Sequence, residues 1–158
     1  MYLQSFNVVK NPHDRVRNHS PKSFNRAIDL KTISVIESTI ANGPIAINQR
    51  LNTLDKEWDI DRVMMAYISG VTMAQLSTAM TKKNSNWLWG SLIQAPFLLL
   101  YATFGWSPSV LVFRKLGLRT RFEIQDEREV LLNALQSVDL ENYENNIAIN
   151  EWDVYESI

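Results

Sequence analysis

The sequence contains no cysteine and only two histidines, and these absences exclude several kinds of chemistry at once. Without a thiol, the chain forms no disulfide, offers no thiolate ligand to a metal and has no cysteine nucleophile. His13 and His19 have neither a cysteine nor an acidic pair at metal-ligand spacing beside them. We therefore predict that both histidines are surface residues and that the chain holds no metal and no cofactor.

The motifs that commonly mark enzymes and secreted proteins are also missing. The sequence shows no phosphate-binding loop, no Ser-His-Asp set and no pair of buried carboxylates. The first ten residues lack a long apolar run after a basic start, so we expect no cleaved secretory signal. The sequence therefore predicts a protein that is not an enzyme and that is targeted by a segment inside the chain.

Two long stretches contain no charged residue, although 21% of all residues are charged. The first covers residues 63–81, which is 19 residues, and the second covers residues 84–113, which is 30 residues. Uncharged stretches of this length predict segments that lie in an apolar environment.

The first stretch could just cross a bilayer, because a helix of this length rises about 28 Å and a hydrocarbon core is roughly 30 Å thick. It contains many small and polar residues. Gly70, Ala74 and Ser77 lie near one face of such a helix, and small side chains let a neighbouring helix approach closely. We predict that this face packs against a partner helix.

The second stretch carries the strongest membrane signal in the chain. Residues 87–106 are bracketed by Trp87 and Trp106, as tryptophans are when they lie at the two membrane interfaces. Pro96 predicts a kink, which neighbouring helices make tolerable. We interpret Gln94 as a hydrogen-bonding group between helices, and the alternative is a group that lines a pore or relays protons.

The polar connection at residues 81–86 is short, so the two stretches are predicted to pair as an antiparallel hairpin over residues 63–106. We predict an all-α fold in which this hairpin is transmembrane. The alternative is a hairpin buried in a soluble helical bundle, which would make the chain a soluble binding module.

The segments before the hairpin are predicted to be polar and largely helical. Residues 1–43 form a basic N-terminal region with a helix from about residue 25 to residue 41. Residues 44–62 form an amphipathic helix, because Pro44 suits the first helical turn and apolar residues follow at spacings of three and four.

The segments after the hairpin are also predicted to lie outside the lipid. Residues 107–137 form a basic exit segment and a cytoplasmic helix, which ends near Gln136. Thr120 and Glu123 have the spacing of a capping box and predict where this helix begins. Residues 138–158 form an acidic tail that we expect to be flexible.

Basic residues near the hairpin predict its orientation. Eight of them lie on the side that carries both termini, and two lie in the connection. The positive-inside rule therefore predicts that both termini are cytoplasmic. The eight are Arg50, Lys56, Arg62, Arg114, Lys115, Arg119, Arg121 and Arg128, and the two are Lys82 and Lys83.

Acidic residues before the hairpin and basic residues after it should meet at one membrane surface. The acidic residues are Asp55, Glu57, Asp59 and Asp61, and the basic residues are Arg114, Lys115, Arg119 and Arg121. We predict interfacial ion pairs of Asp59 and Asp61 with Arg114 and Arg119, which would fix how the flanking helices dock. In a partly dehydrated interface such pairs contribute more than the roughly 0 to 1 kcal/mol of exposed pairs. A divalent metal site built from the acidic residues is the alternative, and the adjacent bases argue against it.

Several of these residues together resemble a known bacterial family. The resemblance is carried by residues 50–62, by matches within residues 113–128, and by the motif Gly105, Trp106, Ser107 and Pro108. These residues resemble a bacterial family of unknown function and are similar to the two-helix module called the YgaP-like transmembrane domain. In some proteins that module is the membrane anchor of a rhodanese sulfurtransferase.

The resemblance implies a hairpin in the bacterial inner membrane and brings no established activity with it. Family members usually carry Cys-Pro where this chain has Ser107 and Pro108. A serine does not support persulfide transfer or thiol redox chemistry, so the resemblance does not imply sulfur handling by this chain alone.

These observations predict a non-enzymatic integral membrane scaffold or an accessory subunit of a membrane complex. The expected partners are the lipid bilayer and either a second copy of the chain or a larger membrane complex. No nucleic-acid partner is expected, because the N-terminal charges are dispersed. A second hypothesis is a membrane anchor that recruits a separate sulfurtransferase or redox enzyme.

Overall fold

The computed structural model describes residues 11–82 and 86–155, with side chains as far as Val138 together with that of Leu140. These residues form seven α-helices and no strand, so the all-α prediction is confirmed. The helices are α1 (Arg15–Asn18), α2 (Lys22–Ala41), α3 (Pro44–Leu54), α4 (Ile60–Lys82), α5 (Asn86–Phe104), α6 (Pro108–Lys115) and α7 (Arg121–Tyr155).

The central helices α4 and α5, which we call the hairpin, pack along each other. In the described residues, α5 alone is long and apolar enough to cross a membrane, with a mean hydropathy of 1.3 over its most apolar window and 6% of that window buried. Helix α4 begins with the charged residues Asp61 and Arg62 and has more polar side chains. The structure thus holds one candidate span, where the sequence predicted two.

The remaining helices form what we call the base: α1, α2, α3, α6 and the described part of α7. Its main core lies where α2, α3 and α7 meet, and Ile36 and Leu131 are completely buried there. Burying a side chain of this size contributes about 1.5–3 kcal/mol. The buried members of this core are Ile36, Ile47, Leu54, Ile124, Leu131 and Ala134.

A second apolar cluster joins the hairpin to the base. Ile60 and Met64 in the first turns of α4 pack with Tyr101 near the end of α5, and both helices contact Val16 and Val110 of the base. Backbone geometry reinforces this junction, because the Ile60 amide donates to the Arg119 carbonyl at 2.9 Å. The two ends of the hairpin are therefore held against one surface of the base.

The C-terminal segment differs from the expectation. We predicted a helix that ends near Gln136 and a flexible acidic tail over residues 138–158, whereas α7 continues to Tyr155. The sequence contains no glycine and no proline after Gly117, so no helix-stopping residue interrupts this segment. The acidity of the segment was a poorer guide than the absence of a stop signal.

Gly105 is the tightest point of the junction between hairpin and base. Its φ of 71° ends α5 in a left-handed conformation, which residues with a Cβ rarely adopt. A Cβ at this position would also lie 2.8 Å from backbone atoms of Arg15 and Val16. Helix α1 can therefore reach the end of α5 only because this residue is glycine.

We expect Gly105→Ala to lower the free energy of unfolding of the full-length chain by about 3 kcal/mol or more, since the strained φ alone costs about 1–3 kcal/mol and the clash adds to it. The measurement is thermal unfolding followed by circular dichroism. Gly117→Ala is the matched control, because Gly117 has a φ of 89° and open space around its Cβ position. Equal destabilisation by the two variants would contradict the close approach of α1.

Candidate functional site

The start of α7 places two carboxylates inside the base. The Thr120 amide donates to the Glu123 carboxylate at 2.9 Å, and the Glu123 amide donates to the Thr120 hydroxyl oxygen at 3.2 Å. This reciprocal pair is the predicted capping box. The Thr120 hydroxyl also donates to the Asp14 carboxylate at 2.5 Å, so the N-terminal segment is tied to the same turn.

Glu123 is an acceptor for two arginines. Arg114 from α6 donates to its two carboxylate oxygens at 2.6 and 2.8 Å, and Arg17 from α1 donates at 2.5 Å. Arg17 also forms a bidentate ion pair with Asp29 of α2, with hydrogen bonds of 2.7 and 2.9 Å. The side chain of Arg114 has no exposed surface, so this pair is among the most deeply buried in the protein.

Glu127 lies one turn further along α7 and is completely buried. Arg50 of α3 donates to both of its carboxylate oxygens, at 2.7 and 3.1 Å. Arg119 lies in the segment between α6 and α7 and donates to Glu127. It also forms a bidentate ion pair with Glu57, with hydrogen bonds of 2.6 and 2.8 Å. Glu57 lies just before α4, so this pair connects the start of the hairpin to α7.

We call these residues the charge network. It contains four guanidinium groups and four carboxylates, so its formal charges cancel. Every helix of the base contributes to it or is contacted by it, and bidentate arginine pairs of this kind fix orientation as well as distance. The members are Arg17, Asp29, Arg50, Glu57, Arg114, Arg119, Glu123 and Glu127.

The ionisation of the network follows its pairing. Burial by itself would raise the pKa of Glu123, but the hydrogen bonds and charge of Arg114 outweigh it, and the pKa is lowered. Burial opposes the charge of Arg119, yet its bonds to Glu57 and Glu127 raise its pKa. Asp14 behaves differently, because burial raises its pKa more than its hydrogen bonds to Thr120 and to the Arg17 amide lower it.

One ion pair of the predicted kind is present, because Arg119 pairs with Glu57, and it also pairs with Glu127. Arg114 pairs with Glu123 of α7 instead of an acidic residue before the hairpin. The Asp59 carboxylate accepts from the Arg62 amide at 2.7 Å and so caps the first turn of α4. Asp61 accepts a hydrogen bond from the Tyr101 hydroxyl, which joins α4 to α5.

No group of three or more metal-ligating side chains lies together in the described residues, so the structure offers no set of ligands for the alternative of a divalent metal site. His13 and His19 are exposed. The His19 ring lies beside Phe104, with ring centroids 6.4 Å apart, and its Nδ1 lies 2.8 Å from the Arg15 carbonyl oxygen. Its contacts belong to the junction between α1 and the hairpin.

The motif from Gly105 to Pro108 forms the turn between α5 and α6. Ser107 is buried and caps α6, because its hydroxyl oxygen accepts from the Val110 amide at 3.2 Å. Pro108 occupies the first turn of α6, where its missing N–H costs nothing. Trp106 is 36% exposed at the outer side of the turn. In this chain Gly105, Ser107 and Pro108 therefore have structural roles that their residue types explain.

The face of α4 that carries Gly70, Ala74 and Ser77 is exposed, and a Cβ at Gly70 would meet nothing within 4 Å. Helix α5 packs on another face, where the Ser91 hydroxyl donates to the Gln75 side chain at 2.5 Å and Gln75 lies against Gly90. Gln75 is one of the polar residues of the first uncharged stretch.

A cavity of about 330 Å³ lies between α4 and α5, and Gln75, Gln94 and Ser107 are among the residues that line it. The Nε2 of Gln94 is buried and has no hydrogen-bond partner among the described residues. A hydrogen bond between α4 and α5 is made close to Gln94 by Gln75 and Ser91.

Sequence reasoning found Arg114, Arg119 and the capping box but missed that Glu127 and Arg50 belong to the same site. The spacing of Glu123 and Glu127 was a usable signal, because residues four apart lie on one face of a helix. The contribution of Arg17 had no local signal, since it lies 106 residues from Glu123 in the sequence.

Glu127→Gln should destabilise the chain by about 3–5 kcal/mol, because it leaves Arg50 and Arg119 with an incompletely compensated buried charge. Thermal unfolding of the full-length protein measures the effect. Glu129→Gln is the matched control on the same helix, since Glu129 is exposed and surface substitutions usually change stability by less than about 0.5 kcal/mol. Similar melting temperatures for the two variants would show that the network contributes little.

The comparisons with known proteins return no match: no family model, no curated protein and no solved structure is significantly similar to this chain. The resemblance to the YgaP-like transmembrane domain therefore stays a prediction.

Proposed function

We propose that the protein is a non-enzymatic integral membrane scaffold, or an accessory subunit of a membrane complex, whose hairpin lies in the bilayer and whose base lies in the cytoplasm. One observation carries the proposal: α5 is an uncharged apolar helix of 19 residues that the rest of the described chain leaves uncovered, with 6% of its apolar window buried. A core helix of a soluble protein has the same composition but is covered by its neighbours.

The exposed apolar surface of α5 faces several directions. Trp89, Leu92, Ile93 and Leu99 are each 60–66% exposed. A soluble monomer rarely presents apolar patches larger than a few hundred Å² to water. A surface of this kind is stable in contact with lipid chains, which are as apolar as the side chains themselves.

Helix α4 fits the same environment despite its polar residues. Between its charged ends its large exposed side chains are apolar, and Met65, Met73, Leu76 and Met80 are 51–72% exposed. The Thr78 hydroxyl donates to the Ala74 carbonyl at 2.7 Å, within the same helix. A hydroxyl that bonds to its own backbone does not need water, which lowers the cost of placing α4 in lipid.

The proposed orientation rests on the distribution of positive charge. Eight basic residues close to the hairpin lie on the side of it that carries the base, whereas the connection between α4 and α5 carries two lysines. By the positive-inside rule the base and both termini would be cytoplasmic. The resemblance described above adds that the membrane would be the bacterial inner membrane.

The scaffold role is supported by the open face of α4. Gly70, Ala74 and Ser77 lie on a side that α5 does not cover, and small residues at such spacing allow close contact between helices in membranes. We propose that this face binds a second copy of the chain or a helix of a larger membrane complex.

Membrane integration is tested by alkaline carbonate extraction of membranes that contain the full-length protein. We expect the wild type to resist extraction and Leu92→Lys to reduce the resistant fraction, because a lysine near the centre of a span costs about 2.5–3.5 kcal/mol. Leu140→Lys is the matched control, since Leu140 is exposed on α7 of the base. Complete release of the wild type would overturn the proposal and favour a soluble helical-bundle binding module.

Association through α4 is tested by light scattering of the protein purified in a mild uncharged detergent. We expect the wild type to form an oligomer or to retain a membrane partner, and Gly70→Leu to shift it to a monomer, because the larger side chain separates the helix backbones. Thr72→Leu is the control, two residues away and therefore about 200° around the helix. A wild type that is monomeric without a bound partner would contradict the scaffold role.

A further inference from the structure

The base contains a cavity of about 430 Å³ between α2 and the turn that follows α6. Phe24, Ile28 and Val35 provide apolar walls, and Thr32 contributes a hydroxyl. The charged side chains around the cavity are strongly biased towards positive charge, with five bases and one acid. They are Lys31, Arg50, Arg114, Lys115, Arg119 and Glu57.

The arginines and the lysines around this cavity differ in how their charge is balanced. Arg50, Arg114 and Arg119 belong to the charge network, in which four guanidinium groups face four carboxylates. Lys31 and Lys115 form no ion pair with any residue in the described part of the chain. The cavity therefore has an excess of two positive charges, and both come from the lysines.

Arg114 lines the cavity but is fully used by the fold. Its two terminal nitrogens are bonded to Glu123, Asn25 and the Leu118 carbonyl. Its Nε has no hydrogen-bond partner among the described residues and its side chain has no exposed surface, so a ligand in the cavity would meet the two lysines and not this nitrogen.

We propose that this cavity binds a phosphate group. A phosphate monoester carries a charge of about −1.5 to −2 and three strong acceptor oxygens, which matches the two lysines and the Thr32 hydroxyl. Two sources present this chemistry: the headgroup of an anionic phospholipid and a soluble phosphate compound.

The lining of the cavity suits a lipid headgroup, because it combines lysines with an exposed apolar side chain. Leu116 lines the cavity next to Lys115 and is 71% exposed. The site lies in the base, so phosphate binding does not require the hairpin to be in a membrane. The lipid source rests on the proposed function, whereas the soluble source does not.

The test changes only the two lysines, since Arg114 also holds the charge network together. Lys31→Gln/Lys115→Gln is compared with Lys22→Gln/Lys56→Gln, which removes the same charge from exposed positions outside the cavity.

Each full-length protein is purified in an uncharged detergent, and circular dichroism establishes that it is folded. In one arm, inorganic phosphate is titrated and thermal stabilisation is measured. In the other, binding to phosphatidylcholine nanodiscs with and without phosphatidic acid is measured at two salt concentrations.

We expect the wild type and the control to bind at least one phosphate probe, and the cavity variant to bind it about tenfold or more weakly, because each basic residue near an anionic surface strengthens binding about fivefold. Binding to phosphatidic acid without stabilisation by inorganic phosphate assigns the site to a lipid headgroup, and the converse assigns it to a soluble phosphate. Equal weakening in both variants, or binding of neither probe by the wild type, would overturn the proposal. Carbonate extraction reports separately on membrane integration, so the two proposals fail independently.

Discussion

Glu123 and Glu127 are two carboxylates one turn apart at the start of α7, and the arrangement of the base depends on them. Each accepts hydrogen bonds from two arginines that come from different parts of the chain. Removing such groups from water costs several kcal/mol per ion, and the cost is recovered only when every partner is in place. Arg17, Arg50, Arg114 and Arg119 must therefore reach α7 together, which fixes α1, α3 and α6 around it.

This requirement explains why a base with a small apolar core can have a defined geometry. The chain has no cysteine with which to cross-link these helices, and α6 has only eight residues. Directional arginine pairs specify angles as well as distances, whereas apolar contacts alone allow neighbouring helices to slide. The Gly105 turn serves the same arrangement, because it brings α1 against the end of α5, where Val16 joins the second apolar cluster.

The hairpin and the base place their large apolar side chains in opposite ways. In the base, Ile36, Ile47 and Leu131 face inward and are almost completely buried. In the hairpin, large apolar side chains face outward, while Thr78 and Thr81 of α4 bond to their own backbone and Gln75 bonds to Ser91 of α5. This contrast between the two parts of the chain is the reason for proposing that the hairpin lies in lipid and the base in water.

The sequence by itself determined the helical class, the two uncharged stretches, the start of α3 at Pro44 and the capping box at Thr120. These features are local, because hydrophobic periodicity, proline and capping residues act within a few positions of themselves. The tertiary structure decided which charges meet. Among the acidic residues before the hairpin it chose Glu57 for Arg119, and it added Glu123 and Glu127 of α7 as the partners of Arg114 and Arg119. Such pairings depend on how distant helices pack, and a pattern of single residues along the chain does not contain that information.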